Sequence, residues 1–184
     1  MSAAAHVMPP ADYGDGPGKT ARVMIWENGQ PQQVEMRWGL RPIEPGGRPI
    51  SLLRAEGRII TNRCLIVANE FYLRPGSAPS NKRRRVELIT QTPFFCLAGT
   101  WRPETSDWPA AFAGITIEAY PDIAPFQDRH MAVVREDDWM DWLQGSRAAE
   151  SILRRFPIGS FRISGPPIRT APTWFKDRSP RTCP

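Results

Sequence analysis

Two alternating segments, residues 22–27 and 33–38, flank Asn28-Gly29-Gln30-Pro31. Asn-Gly is the pair favoured by a two-residue type I′ turn, because both turn positions need a positive φ. The chain is therefore committed to a β-hairpin close to its start. Within 33–38, Val34, Met36 and Trp38 alternate with Glu35 and Arg37, which buries one face and wets the other. Composition agrees: 20 prolines and 14 glycines among 184 residues leave room for many turns and few long helices. A length of 184 residues, 41% hydrophobic with seven tryptophans, suits one domain with its own core.

The remaining segments extend a strand-rich pattern. Residues 1–20, rich in Ala, Pro, Gly and Asp, are expected to be an irregular entry segment, and residues 41–57 read as loop. Residues 63–73 read as one largely buried strand, followed by a loop with Pro75, Gly76 and Pro79. Further strands are expected at 86–90, 94–101, 112–119 and 130–134, making about seven in an antiparallel sheet or barrel. A helix is expected over 135–143, with acidic residues in its first turn, Trp139, Trp142 and Leu143 on one face, and Gly145 as its stop. Ser146 is the expected N-cap of a second helix, 147–155, that ends before Pro157. A short strand at 161–164 precedes a Pro-rich tail, 165–184, so residues 1–184 read as a single domain.

Charge and cysteines narrow the classes of function. The formal net charge is +5, and only Lys19, Lys82 and Lys176 among 24 basic residues are lysine. Arginine grips phosphate bidentately and stacks on bases, so the bias fits nucleic-acid contact, although arginine-favouring codons would give it too. Cys64, Cys96 and Cys183 lack a CxxC spacing and are odd in number, which fits a reduced cytoplasm. Cys64 and Cys96 lie in apolar runs, where cysteine acts as a small hydrophobe. With two histidines and no clustered ligands, neither a metal site nor a cofactor is expected. No apolar stretch approaches the roughly 20 residues that span a bilayer, so no membrane partner is expected.

An ordered series of short motifs carries a resemblance. Trp38-Gly39-Leu40 with Pro42, Arg54-Ala55-Glu56, Arg63-Cys64-Leu65-Ile66 leading to Phe71-Tyr72, Leu97-Ala98-Gly99-Thr100-Trp101, Ala124-Pro125 with Asp128-Arg129, and Trp139 with Trp142-Leu143 follow one another. In order and character the series resembles the SOS-response-associated peptidase (SRAP) family from about His6 to about Leu143. That resemblance implies an α+β, mainly β fold: a bent antiparallel barrel-like sheet with a few flanking helices. It also implies a basic cleft for single-stranded or abasic DNA in a monomer. In the family an N-terminal cysteine forms a thiazolidine with the aldehyde of an abasic site, or removes its own leader peptide. A glutamate, a histidine and an asparagine assist, and an arginine holds phosphate.

Residue by residue, the correspondence is uneven. Arg54 stands where the resemblance places the phosphate-holding arginine, with Glu56 two positions on. Leu52 replaces the asparagine, Leu73 the glutamate and Gln127 the histidine, while Met1-Ser2 stands in place of Met-Cys. Neither leucine nor glutamine exchanges a proton near neutral pH, so DNA binding without crosslinking is the expected outcome. The alternatives are an active crosslinker or peptidase whose Met-Cys start lies upstream, and a non-enzymatic protein-interaction module. Glu70 and His130 are the nearest stand-ins, and three positions along a strand put Glu70 on the opposite face from Leu73. Trp38 reads either as a base-stacking platform or as core, the run 82–85 either as phosphate contacts or as charge that protects an exposed strand entrance, and Arg129 and Glu56 join Arg54 as expected DNA contacts.

Overall fold

The computed structural model describes residues 17–73 and 84–165. The hairpin forms as its turn demands. Strand β1 (Thr20–Glu27) pairs antiparallel with β2 (Gln30–Trp38), from Thr20 opposite Arg37 to Glu27 opposite Gln30. Asn28 and Gly29 take φ values of 53° and 78°, the two positive angles of a type I′ turn. Pairing resumes at Gln30, so Gln30 and Pro31 belong to β2 and only Asn28-Gly29 make the turn.

Strand β4 (Arg63–Ala68) lies on the other side of β1 and pairs with β7 (Phe95–Arg102), which also pairs with β8 (Ala111–Glu118). Strand β8 returns to β2 through a two-residue parallel contact, Arg37 with Ala111 and Trp38 with Phe112. The sheet thus curves into a ring without becoming a true barrel. It is mixed, since β3 (Leu52–Arg54) also joins β8 in parallel, with Leu52, Leu53 and Arg54 opposite Gly114, Ile115 and Thr116. Strands β9 (Arg129–Met131) and β10 (Val133–Val134) pair with β8 and β7 respectively. A second, three-stranded sheet joins β5 (Phe71–Leu73), β6 (Arg84–Leu88) and β11 (Phe161–Ser164).

Several elements differ from the expectations. The strand foreseen over 63–73 divides at Asn69-Glu70 into β4 and β5, which belong to different sheets. The segment 41–57 is not all loop, because β3 is held by β8 and not by any local pattern. The strand over 130–134 breaks at Ala132, where the chain passes from β8 to β7.

Helix α1 (Trp139–Gln144) follows a single 3₁₀ turn and ends at Gly145 with φ 66°, the left-handed cap expected of glycine. The second helix is only α2 (Ala149–Ile152), and Ser146 does not cap it; its hydroxyl donates to the Asp141 carboxylate at 2.6 Å. Arg147 and Arg154, both within the helix expected over 147–155, turn to the buried Asp138, at 2.7 and 2.9 Å.

The core is largely apolar and draws on both the strands and the helices. Trp142 is fully buried and its indole N–H donates to the Cys64 carbonyl at 2.9 Å. Cys64 and Cys96 are buried and unbridged, and burial pushes both thiols up, which keeps them protonated.

Candidate nucleic-acid interface

Strand β8 supports the candidate site with β3 on one edge and β9 on the other. Alternation along the strands sets Leu52, Arg54, Gly114, Thr116 and Met131 on one face and Leu53, Ile115, Ile117 and His130 on the other. Arg54 is exposed and has no ion-pair partner among the described residues. With Arg58 and Arg102 it lines a cavity of about 240 Å³ whose other walls include Thr61, Thr100 and Ile115. No carboxylate lines that cavity. Arg102 is steadied by donating to the Trp101 carbonyl at 3.0 Å. Neither Arg58 nor Arg102 belongs to a motif: Arg58 sits in the loop after β3, and Arg102 ends β7 and is brought beside Arg54 by the fold.

Glu56 and Arg129 form a pair of their own. Arg129 Nη2 donates to the Glu56 carboxylate at 2.6 Å and to the Thr116 carbonyl at 2.8 Å. The guanidinium beside Glu56 holds its carboxyl below the usual range. Arg129 is thereby half-buried and largely neutralised, unlike Arg54.

At the three positions where the resemblance places polar side chains, the surroundings are apolar or closed. Leu52 lies over Gly114, with Met131 reaching the same spot: a Cβ on Gly114 would stand 3.1 Å from Leu52 Cδ2 and 2.5 Å from Met131 Cε. Leu73 is buried at 1% exposure, opposite Arg84, whose guanidinium sits 4.6 Å from the Phe126 ring centre. Gln127 is half-buried next to that ring, and its amide donates to the Arg129 carbonyl. The fold thus brings the neighbourhoods of Leu73 and Gln127 together through Arg84 and Phe126.

The nearby stand-ins are engaged elsewhere. Glu70 pairs with Arg85 and accepts the Tyr72 hydroxyl at 2.6 Å, on the face away from Leu73. His130 is 2% exposed and enclosed by Phe71, Tyr120 and Phe161, with centroid distances of 5.9, 4.2 and 6.4 Å. Its Nδ1 lies 2.6 Å from the Met131 carbonyl, which only accepts, so Nδ1 carries the proton and Nε2 is bare and buried. Desolvation pushes its pKa down to about 4. The imidazole is a neutral core group on the opposite side of β9 from Arg129.

Trp38 is half-buried, with one ring face stacked on Phe112 at 5.8 Å and its N–H donated to the Ser51 carbonyl at 2.9 Å. In the run 82–85, Arg85 is tied to Glu70 and Glu87, while residues 82 and 83 lie outside the described residues, as does Ser2. Among the described residues no three His, Cys, Asp or Glu side chains gather as a metal site, and no helix is long and apolar enough to cross a membrane.

The ringed mixed sheet with its short helices is a fold shared with solved structures. A protein from Bacteroides thetaiotaomicron superposes with a TM-score of 0.61 at 16% identity, over 79% of this chain and 73% of that one. A Bordetella bronchiseptica protein gives 0.63 at 16% identity, over 80% and 84% of the two chains. A phage-related protein of the same organism gives 0.62 at 19%, over 80% and 78%. No curated protein matches the sequence. Residues 56–164 match the model of the SOS response associated peptidase (SRAP) family, and the chain belongs to that family. The matched span includes Leu73, Gln127 and His130 and begins two residues after Arg54.

Proposed function

We propose that this SRAP member binds single-stranded or damaged DNA by its phosphates and does not crosslink to it. The observation that carries the reading is the cavity lined by Arg54, Arg58 and Arg102 with no acid among its walls. Three guanidiniums with no facing carboxylate favour a polyanion, and each contact releases counterions from the strand. The absence of crosslinking rests on chemistry. Imine formation needs a proton shuttle, and the side chains at the two family positions are a buried leucine and an amide bound to a carbonyl. His130, walled off by aromatic rings, offers no substitute.

The test is a native gel with labelled single-stranded DNA, intact or abasic, run beside a denaturing gel. A retained complex is expected in the first and no covalent band in the second. The dependence of affinity on salt should have a logarithmic slope near −2 for roughly three phosphates, and Arg54→Ala should reduce it by about 0.7. Lack of any retained complex at moderate salt overturns the proposal.

A further inference from the structure

Arg54, which also lines the arginine cavity, lies two residues from Leu52 on the side of β3 away from the cavity's Leu53 and Ile115, about 6–7 Å along the strand. Leu52 is 36% exposed, although it is a large apolar side chain. It meets Met131 above Gly114, where no side chain rises from β8. Two residues earlier on the same face of β8, Phe112 is covered by the half-buried Trp38, whose only polar atom is already satisfied by the Ser51 carbonyl. Trp38, Leu52 and Met131 thus form an apolar floor with no free polar side chain, ending at an uncompensated guanidinium.

The charge beside the floor selects the occupant. Beside Arg54 the Arg129 and Glu56 charges cancel one another, so the net charge at this end of the floor is that of Arg54. A flat apolar group joined by a short link to an anion satisfies both parts at once, and one nucleotide has that form. We infer that this face takes an intact, unstacked nucleobase on Leu52 and Met131 while Arg54 holds the adjoining phosphate, so that the chain prefers strands that keep their bases. A ring-opened abasic sugar offers hydroxyls and an aldehyde, for which the floor has no donor or acceptor, and it leaves Leu52 and Met131 wet.

This inference rests on the DNA-binding reading above, and the experiment separates the two. Full-length protein is titrated by fluorescence anisotropy with a short oligothymidylate and with a tetrahydrofuran oligomer of equal length, which has the same phosphates and no bases. The oligothymidylate is expected to bind about five- to tenfold more tightly, as burial of one base on apolar side chains gives. Leu52→Asn should weaken only the oligothymidylate and bring the ratio close to one. Arg54→Ala should weaken both and leave the ratio unchanged. Equal or tighter binding of the baseless oligomer, or a ratio that Leu52→Asn does not move in a variant with native thermal melting, overturns the inference while leaving DNA binding intact. Binding of neither oligomer removes both.

Discussion

The buried imidazole of His130 makes acid stability a direct test of its role as a neutral core group. Its pKa of about 4 in the fold lies below the ordinary 6.5, because burial disfavours the charged form. Between those values the unfolded chain binds a proton that the folded chain refuses, so stability is intact above pH 6.5 and declines as pH falls towards 4. Each unit of separation is worth about 1.4 kcal/mol, so lowering pH from 7 to 5 should cost about 2 kcal/mol through this residue alone. The carboxylates of Glu56, Asp138 and Asp141 are held below their usual values, so their losses come at lower pH and are the same in a His130 variant. His130→Phe places a ring among Phe71, Tyr120 and Phe161, removes the unpaired Nε2, and gives up the bond to the Met131 carbonyl. At pH 7 its stability should stay within about 1 kcal/mol of the parent. Urea unfolding at pH 7 and pH 5 reads the difference: with a slope near 2 kcal/mol/M, the parent midpoint should fall by roughly 1 M more than that of the variant. Equal falls in the two proteins would refute the reasoning, and so would a His130 resonance titrating near 6.5 by NMR.

Three further outcomes are expected. Asp138→Ala leaves Arg147 and Arg154 with exposed head groups and loses two charge-assisted hydrogen bonds, which should cost about 2 kcal/mol and lower Tm by roughly 4–8 °C in thermal melting. Glu56→Gln frees Arg129 from its partner, so single-stranded DNA affinity by anisotropy should rise about two- to fivefold at low salt; a fall would show that Glu56 itself assists binding. Gly39→Ala places a Cβ 2.8 Å from Pro49 Cβ at a φ of 136°, which should destabilise by about 1–3 kcal/mol in chemical denaturation.

What the sequence disclosed follows from how local each determinant is. The Asn28-Gly29 turn, strand β11 and the Gly145 stop are set by adjacent residues, and each lies where the sequence places it. Strand β3 is three residues long and has no turn of its own, so its existence depends on β8, a neighbour in the sheet that is remote in sequence. The shortened α2 is a tertiary effect of the same kind: Arg147 and Arg154 follow Asp138 instead of an exposed helical surface. At the site, motif order marks Arg54, whereas Arg102 joins it through the pairing of β7 with β8 and Arg58 from the loop after β3. The surroundings of His130 were hidden for the same reason, as Phe71 and Phe161 come from strands remote in sequence.

Strand β8 pairs with β2, β3, β7 and β9, strands that lie both well before and just after it in the chain. The hairpin of β1 and β2 closes through a two-residue loop, but β2 meets β8 only after a long stretch of intervening chain has been gathered, at a correspondingly greater loss of chain entropy. The ring must therefore shut late in folding, with β8 arriving on a platform of β1, β2, β4 and β7 that has already begun to form. A conservative truncation such as Ile115→Val should then act chiefly on the unfolding rate, while Val23→Ala in the hairpin should slow folding itself, a contrast that stopped-flow kinetics resolves.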